Sequence, residues 1–291
     1  MVDPPPSDRR YAAAALALLS GTACSAAQLA MATEESPAGA LELLEREHGL
    51  LAGSTLAPML ARLTDWEQQG IRVLTAADRE YPDNLRAVYD RPPVLFVAGR
   101  LLARDWRAVA VIGARTASPT GLRSAGEVAR ALGDHGFAVI SGLAAGIDTA
   151  AHTAALDAGA RTIAAVAHGL RRCYPPGNAP LQARIASLGA VVSLRWPDAP
   201  PTREAFHARN ALMSGLSLAS VIIEAGPRSG CRVQARAALA HGRPVLINRS
   251  LLAQDWGQGL ASRPGVWPFS DPREVPEIVC ALACEKQLHG A

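Results

Sequence analysis

The stretch FAVISGLAAGIDTAAH, residues 137–152, decides the fold. Residues 137–140 are an apolar, β-prone run, Gly142 and Gly146 bracket a turn, and an alanine-rich helical pattern follows. A strand that empties through glycines into a helix exposes free N–H groups and the positive end of a helix dipole. No G-x-G-x-x-G pattern accompanies it, so a dinucleotide fingerprint is excluded.

Working outward, the same alternation repeats. Apolar runs occur at AVAVIGA, FAVISGL, TIAAVAH, AVVSLR, SVIIEA and PVLIN. Helical patterns such as GLRSAGEVARALGDHG, IDTAAHTAALDAG, APLQARIASLG and VQARAALAHG lie between most of them. Continuous apolar strands with helical crossovers predict an α/β chain with a mostly parallel, doubly wound, Rossmann-like sheet. Its loops then gather at the carboxyl edge of the strands.

The chain before this region reads differently. YAAAALALL, PAGALELLEREHG and LAPMLARLTDWEQQG are helical patterns, separated by Gly21, Gly49 and Gly70. They predict a small helical N-terminal domain over residues 1–75. The rest, 76–291, is the Rossmann-like core, closed by a helix in DPREVPEIVCALACEKQLHG. The short runs IRVL and VLFVAG flank a turn-rich lead-in with Pro82, Pro92 and Pro93.

Composition narrows the function classes. No run of apolar residues is long enough for a membrane span. The opening MVDPPPSDRR lacks the pattern of a secretory leader. Five scattered cysteines form no C-x-x-C pair, which fits a reducing cytoplasm and gives no zinc site. Net charge is only +3, yet residues 101–250 hold 17 arginines against 8 acids. A basic middle between acidic ends suggests a polyanionic partner.

Five loops carry this chemistry. In GARTASPTG (113–121), Ser118 can cap the helix begun by Pro119, and Arg115 overhangs its start. In the second loop, Gly142 and Gly146 permit close backbone approach. Asp148 falls in the first helical turn, where it complements the dipole, and His152 reads as a packing histidine. The third, AHGLRRCYPPGNAPL, offers Arg171, Arg172 and Tyr174. The fourth, FHARNALMSGLS, places Arg209 and Asn210 on the run-in to a helix, where an exposed pair binds phosphate. The fifth, EAGPRSGCRVQA, combines Gly226, Arg228, Ser229 and Gly230 before another helix. Arginines, glycines and helix starts on one edge describe a site for a phosphate-bearing ligand. No Walker loop, H-E-x-x-H or G-x-S-x-G is present, which favours a binding surface over a reaction centre.

These segments resemble the DNA-processing protein A (DprA/Smf) family from about residue 81 to 248. The similar segments are VAVIGARTASPTG, FAVISGLAAGIDTAAHTAAL, TIAAVAHGLRRCYPPGNAPL and FHARNALMSGLSLASVIIEAGPRSG, after the lead-in YPDNLRAVYDRPPVLFVAGRL. The resemblance implies a protein that binds single-stranded DNA, protects incoming strands and helps load the RecA recombinase in natural transformation. It also implies a homodimer without a cofactor. Carried over, the DNA contacts are Arg115, Ser118, Gly121, Gly142, Gly146, Arg171, Arg209, Asn210, Arg228, Ser229 and Gly230, acting through guanidinium and backbone N–H groups. The chain departs from the pattern at Ser193-Leu194, at Ala211-Leu212-Met213 after the Arg-Asn pair, and at 231–234, where Cys-Arg-Val-Gln replaces Ser-Leu-x-Thr. The alternative is a nucleotide-processing enzyme or nucleotide sensor on a LOG-like Rossmann scaffold; EAGPRSG lacks that scaffold's P-G-G-x-G-T loop.

Overall fold

The computed structural model describes residues 9–20, 24–36, 38–49, 52–227 and 229–289. The chain opens with helices α1 (Arg9–Ser20), α2 (Ala26–Glu35), α3 (Gly39–His48) and α4 (Ala52–Gln68). Strand β1 (Ile71–Thr75), the short helix α5 (Asp83–Arg86) and strand β2 (Val94–Gly99) follow. The alternating part comprises β3 (Ala108–Ile112), α6 (Pro119–Asp134), β4 (Ala138–Ser141), α7 (Ile147–Asp157), β5 (Thr162–Val166) and α8 (Ala179–Leu188). It continues through β6 (Ala190–Ser193), α9 (Arg203–Leu216), β7 (Ala219–Ile222), α10 (Cys231–Ala240) and β8 (Val245–Asn248). The chain closes with α11 (Asp255–Ala261), β9 (Val266–Phe269) and α12 (Val275–His289).

All nine strands form one sheet in the order β1-β2-β6-β5-β4-β3-β7-β8-β9. The seven strands from β6 to β9 are parallel, and β2 and β1 add antiparallel at one edge. Strands β3 to β7 are buried at every position, which explains their unbroken apolar sequences. Alternate residues serve opposite faces. Val109, Val111, Val139 and Val221 pack on Val128 and Leu132 of α6 and Ala151 of α7. Ile112, Ile140, Ile163 and Ile222 pack with Leu212 and Leu216 of α9 and Ala235 of α10.

The predicted strands and crossover helices are present. The pattern reading missed α2, α5, α11 and β9, and took the first half of α9 for the run-in to a helix. Helix α2 is started by a capping box in which Ser25 and Gln28 bond reciprocally. Strand β9 reads VWPF, four residues with a proline, too short to signal itself, and it is fixed by parallel pairing with β8. The first 75 residues are not all helical. β1 pairs with β2 from Ile71↔Ala98 to Thr75↔Val94, so it belongs to the sheet. Leu16, Leu44, Leu63 and Trp66 of the helical part share a core with Phe96 and Val191 of the sheet. No helix among the described residues is long and apolar enough to cross a membrane.

The chain reverses direction across the sheet at β3. From there it steps outward through β4, β5 and β6, then returns to β7 on the other side. The loops after β3 and β7 therefore part and open a crevice at the carboxyl edge.

His152 of α7 is fully buried against the sheet. The Thr162 hydroxyl donates to the Val139 carbonyl, so His152 Nδ1–H donates to Thr162 Oγ1 at 2.7 Å. Burial lowers the imidazole pKa to about 3, Arg209 adding to that effect and a hydrogen bond at Ser141 opposing it. The unfolded chain takes up this proton first, so stability is full above pH 6.5 and falls as pH drops towards 3. Between pH 7 and 5 this group costs about 2 kcal/mol. Urea unfolding of wild type and His152→Asn at both values tests this; equal acid sensitivity in the two proteins places the titrating group elsewhere.

Candidate functional site

The turn after β4 is organised by an ion pair. Asp148, in the first turn of α7, accepts from the N–H groups of Gly142 at 3.2 Å and Ala144 at 3.4 Å. Its Oδ2 lies 3.7 Å from Nη1 of Arg209, and both residues are more than nine-tenths buried. Burial pushes the Asp148 carboxyl above the ordinary range, while Arg209 and the two N–H groups pull it back. A Cβ at position 142 would lie 1.2 Å from Nη1 of Arg209, so a side chain there would displace the buried guanidinium from Asp148. Gly146 caps α7 at φ +79°, and a Cβ there would meet the Ala114 carbonyl oxygen at 2.3 Å.

This arrangement corrects one expectation. Arg209 and Asn210 do not lie exposed at the start of a helix. They sit midway along α9, buried, because α9 crosses the carboxyl edge with that face turned towards the sheet.

The loop after β3 is fixed by Glu224 at the end of β7. The Ser118 N–H donates to Glu224 Oε1 at 3.0 Å and the Ser118 hydroxyl to Oε2 at 2.6 Å. The Ala114 N–H donates to the Glu224 carbonyl oxygen at 2.7 Å. Ser118 also caps α6 by accepting from the Gly121 N–H at 3.0 Å. The anion expected at this helix start is thus supplied by the chain itself: Ser118 is bonded to it, and the Gly121 N–H is taken by Ser118.

Arg115 differs from its neighbours. It is exposed and makes no ion pair among the described residues. Its guanidinium lies over the half-buried Phe206 ring of α9, 5.0 Å from the centroid. Tyr174 meets the same ring edge-on at 6.0 Å. The Tyr174 loop is held by His168, whose Nε2 accepts from the Tyr174 N–H at 3.1 Å. Nε2 is therefore bare, and Nδ1–H donates to the Gly169 carbonyl at 3.0 Å. Burial lowers the His168 pKa and keeps the ring neutral.

Two adjoining clefts meet at Phe206. The larger, about 390 Å³, opens at the crevice between the β3 and β7 loops, with Arg115, Arg209, Asn210, Ser229 and Gly230 among its lining residues. The smaller, about 140 Å³, lies between Arg115, Gly142, His168 and Tyr174. The structure thus brings most of the sequence-predicted residues to one rim. Arg171 is the exception. It pairs with Asp65 of α4 and with Asp198 at 3.1 Å, tying the helical part to the sheet, so its charge is already matched. Arg228 lies outside the described residues.

Sequence reasoning assigned no role to Phe206 or to Arg203, an exposed residue beside the larger cleft. Their signal was present as helical spacing, because residues 203, 206, 210 and 213 fall on one face. A Ser–His–Asp series also occurs. Ser214 Oγ lies 2.8 Å from His241 Nδ1, and His241 Nε2 lies 2.7 Å from Asp90 Oδ1. Its order of exposure is reversed for catalysis, since Ser214 is fully buried and Asp90 faces outward. It clamps α9, the end of α10 and the lead-in loop together.

Removing Asp148 leaves the buried Arg209 charge without its carboxylate. Asp148→Ala is expected to lose about 3 kcal/mol in urea unfolding at neutral pH. A loss below about 1 kcal/mol, the range of exposed pairs, rules out an organising role.

The sequence profile of DNA recombination-mediator protein A matches residues 72–262, from β1 through α11. Protein Smf of Synechocystis sp. is 37% identical over 187 residues, covering 63% of this chain and 47% of that protein. The chain thus spans about half the length of that relative. DNA processing protein A of Streptococcus pneumoniae superposes with a TM-score of 0.65 at 31% identity, over 76% of this chain and 80% of that one. The Helicobacter pylori protein, whose structure describes a single-stranded DNA binding mode, gives 0.64 at 26% identity, over 74% and 96%. The profile match covers more than half of the residues and runs through the strands and loops that build the rim, and by it this chain belongs to the DNA recombination-mediator protein A family.

Proposed function

We propose that this chain binds single-stranded DNA along the carboxyl rim of its sheet and acts as a recombination mediator. The observation that carries this reading is the Arg115–Phe206–Tyr174 group. An exposed guanidinium captures a phosphate, held over the Phe206 ring, while the exposed Tyr174 ring beside it offers a face on which a base stacks. Such a combination tracks a flexible strand and suits stiff duplex poorly, since paired bases hide their faces. Arg203, Ser229 and Gly230 extend the track beside the larger cleft. Gly142 lines the smaller cleft, Gly146 packs against the backbone of Ala114 and Arg115, and Ser118, with Gly121 bonded to it, acts through the Glu224 lock beside Arg115. The Helicobacter pylori relative supports the ligand class.

Family membership supports the wider role. In this reading the chain works in the cytoplasm as a homodimer without a cofactor, protects incoming strands and helps load RecA in natural transformation. Turnover or sensing of a single nucleotide is the competing reading. It requires a mononucleotide to compete as well as a strand, whereas strand binding grows with oligomer length and resists duplex competitor.

Fluorescence anisotropy with single-stranded oligomers at graded salt tests the rim. Arg115→Ala is expected to weaken binding to all sequences alike and to reduce the salt slope by about 0.7. Tyr174→Ala is expected to cost about 1–3 kcal/mol per stacked base with the slope unchanged. An unaltered slope in Arg115→Ala moves the phosphate track away from this loop.

A further inference from the structure

A groove of about 720 Å³ runs between α6 and α7, outside the crevice of the β3 and β7 loops. Gly146, which caps α7, lines one end of it, and Arg130 and Asp157 line the other. Position 146 packs against the backbone of Arg115, so the groove begins beneath the loop that carries that exposed guanidinium. Gly126 and Ala154 meet at its floor, where the two helices touch. These small residues leave room for another chain to lie between the helices.

Arg123 and Arg130 stand on the α6 wall, both exposed. Two helical turns separate them, about 10.5 Å along the axis, so they share one side of the helix. Arg123 donates to the Thr120 hydroxyl at 3.1 Å, and neither arginine makes an ion pair among the described residues. Two acids also line the groove. Asp157 is matched by Arg184 of α8 at 2.8 Å, whereas Glu127 lies between the two arginines on α6 without an ion pair among the described residues. A protein helix is a poor occupant, because Leu122 is the one large apolar side chain in the lining. A stacked base is poorly served too, because no aromatic ring lines the groove. A phosphodiester backbone needs only cations and room.

We infer that the α6–α7 groove carries the bound single strand onward from the rim, held by its phosphates at Arg123 and Arg130 with its bases turned outward. The inference rests on the strand-binding reading above and gives the strand a direction beyond Arg115. Thr153 on the α7 wall adds a hydroxyl donor opposite the arginines. Contacts made to phosphate alone position a strand without reading it, so this segment adds affinity with no base preference and is weakened by salt. Glu127 opposes the two arginines, and its carboxylate keeps this part of the track weak.

The test uses the full chain and oligothymidylates graded from about 4 to about 16 nucleotides, with affinity measured against salt. In wild type the salt slope is expected to steepen as the strand grows long enough to enter the groove. Arg123→Ala and Arg130→Ala are each expected to lose about 0.7 of slope on the longest strand, which is about fivefold in affinity at about 0.1 M salt. Both are expected to bind the shortest strand as wild type does, and thermal melting confirms that both are folded. Glu127→Gln is expected to tighten the longest strand about twofold and to leave the shortest unchanged. Arg115→Ala, at the rim, is expected to weaken short and long strands alike. A wild-type slope on the longest strand in both arginine variants overturns the inference and leaves rim binding intact. Equal losses on the shortest and longest strands overturn it as well, since the two arginines then act at the rim. Failure of wild type to bind any of the strands removes both readings.

Discussion

The carboxyl rim depends on one buried contact, the pair between Asp148 and Arg209 beneath the backbone of Gly142. It joins the turn after β4, the first turn of α7 and the middle of α9. A buried charge pair is worth little against apolar packing but is costly to break, so it fixes geometry more than it adds stability. Once Arg209 is tied down, the face of α9 that bears Phe206 and Asn210 must lie along the crevice. The glycine that begins the β4 turn is therefore a steric requirement of a side chain 67 residues away in sequence.

Glu224 does the complementary work at the β3 loop. It fills the start of α6 with an internal carboxylate and holds the Ser118 backbone and hydroxyl. A helix start so occupied is no longer a general anion site, and the cation this loop leaves without a carboxylate among the described residues is Arg115. The rim then has two characters: an exposed cation over aromatic rings, and beside it a cleft whose walls carry amides and a carboxylate.

Much of the sheet was legible because its strands obey a single constraint. A parallel strand covered on both faces must be apolar throughout, and six such runs stand out between helical patterns. The Ser118 cap was legible for the same kind of local reason, since a serine before proline at a helix start satisfies nearby N–H groups. Strand β9 was not, because its four residues become a strand only by pairing with β8. Arg171 looked like a free cation because the sequence does not show that Asp65 and Asp198 converge on it.

The sequence by itself determined the alternation of strands and helices and the glycine turns between them. These follow from local backbone sterics and from the periodicity of apolar residues. Only the tertiary structure decided which arginines are free. Arg115, Arg171 and Arg209 carry the same charge, but one is stacked on a ring, one is paired at the surface and one is buried with a carboxylate. A charge is neutralised or released by groups distant in the chain, and that distance closes only when the sheet and α9 are assembled.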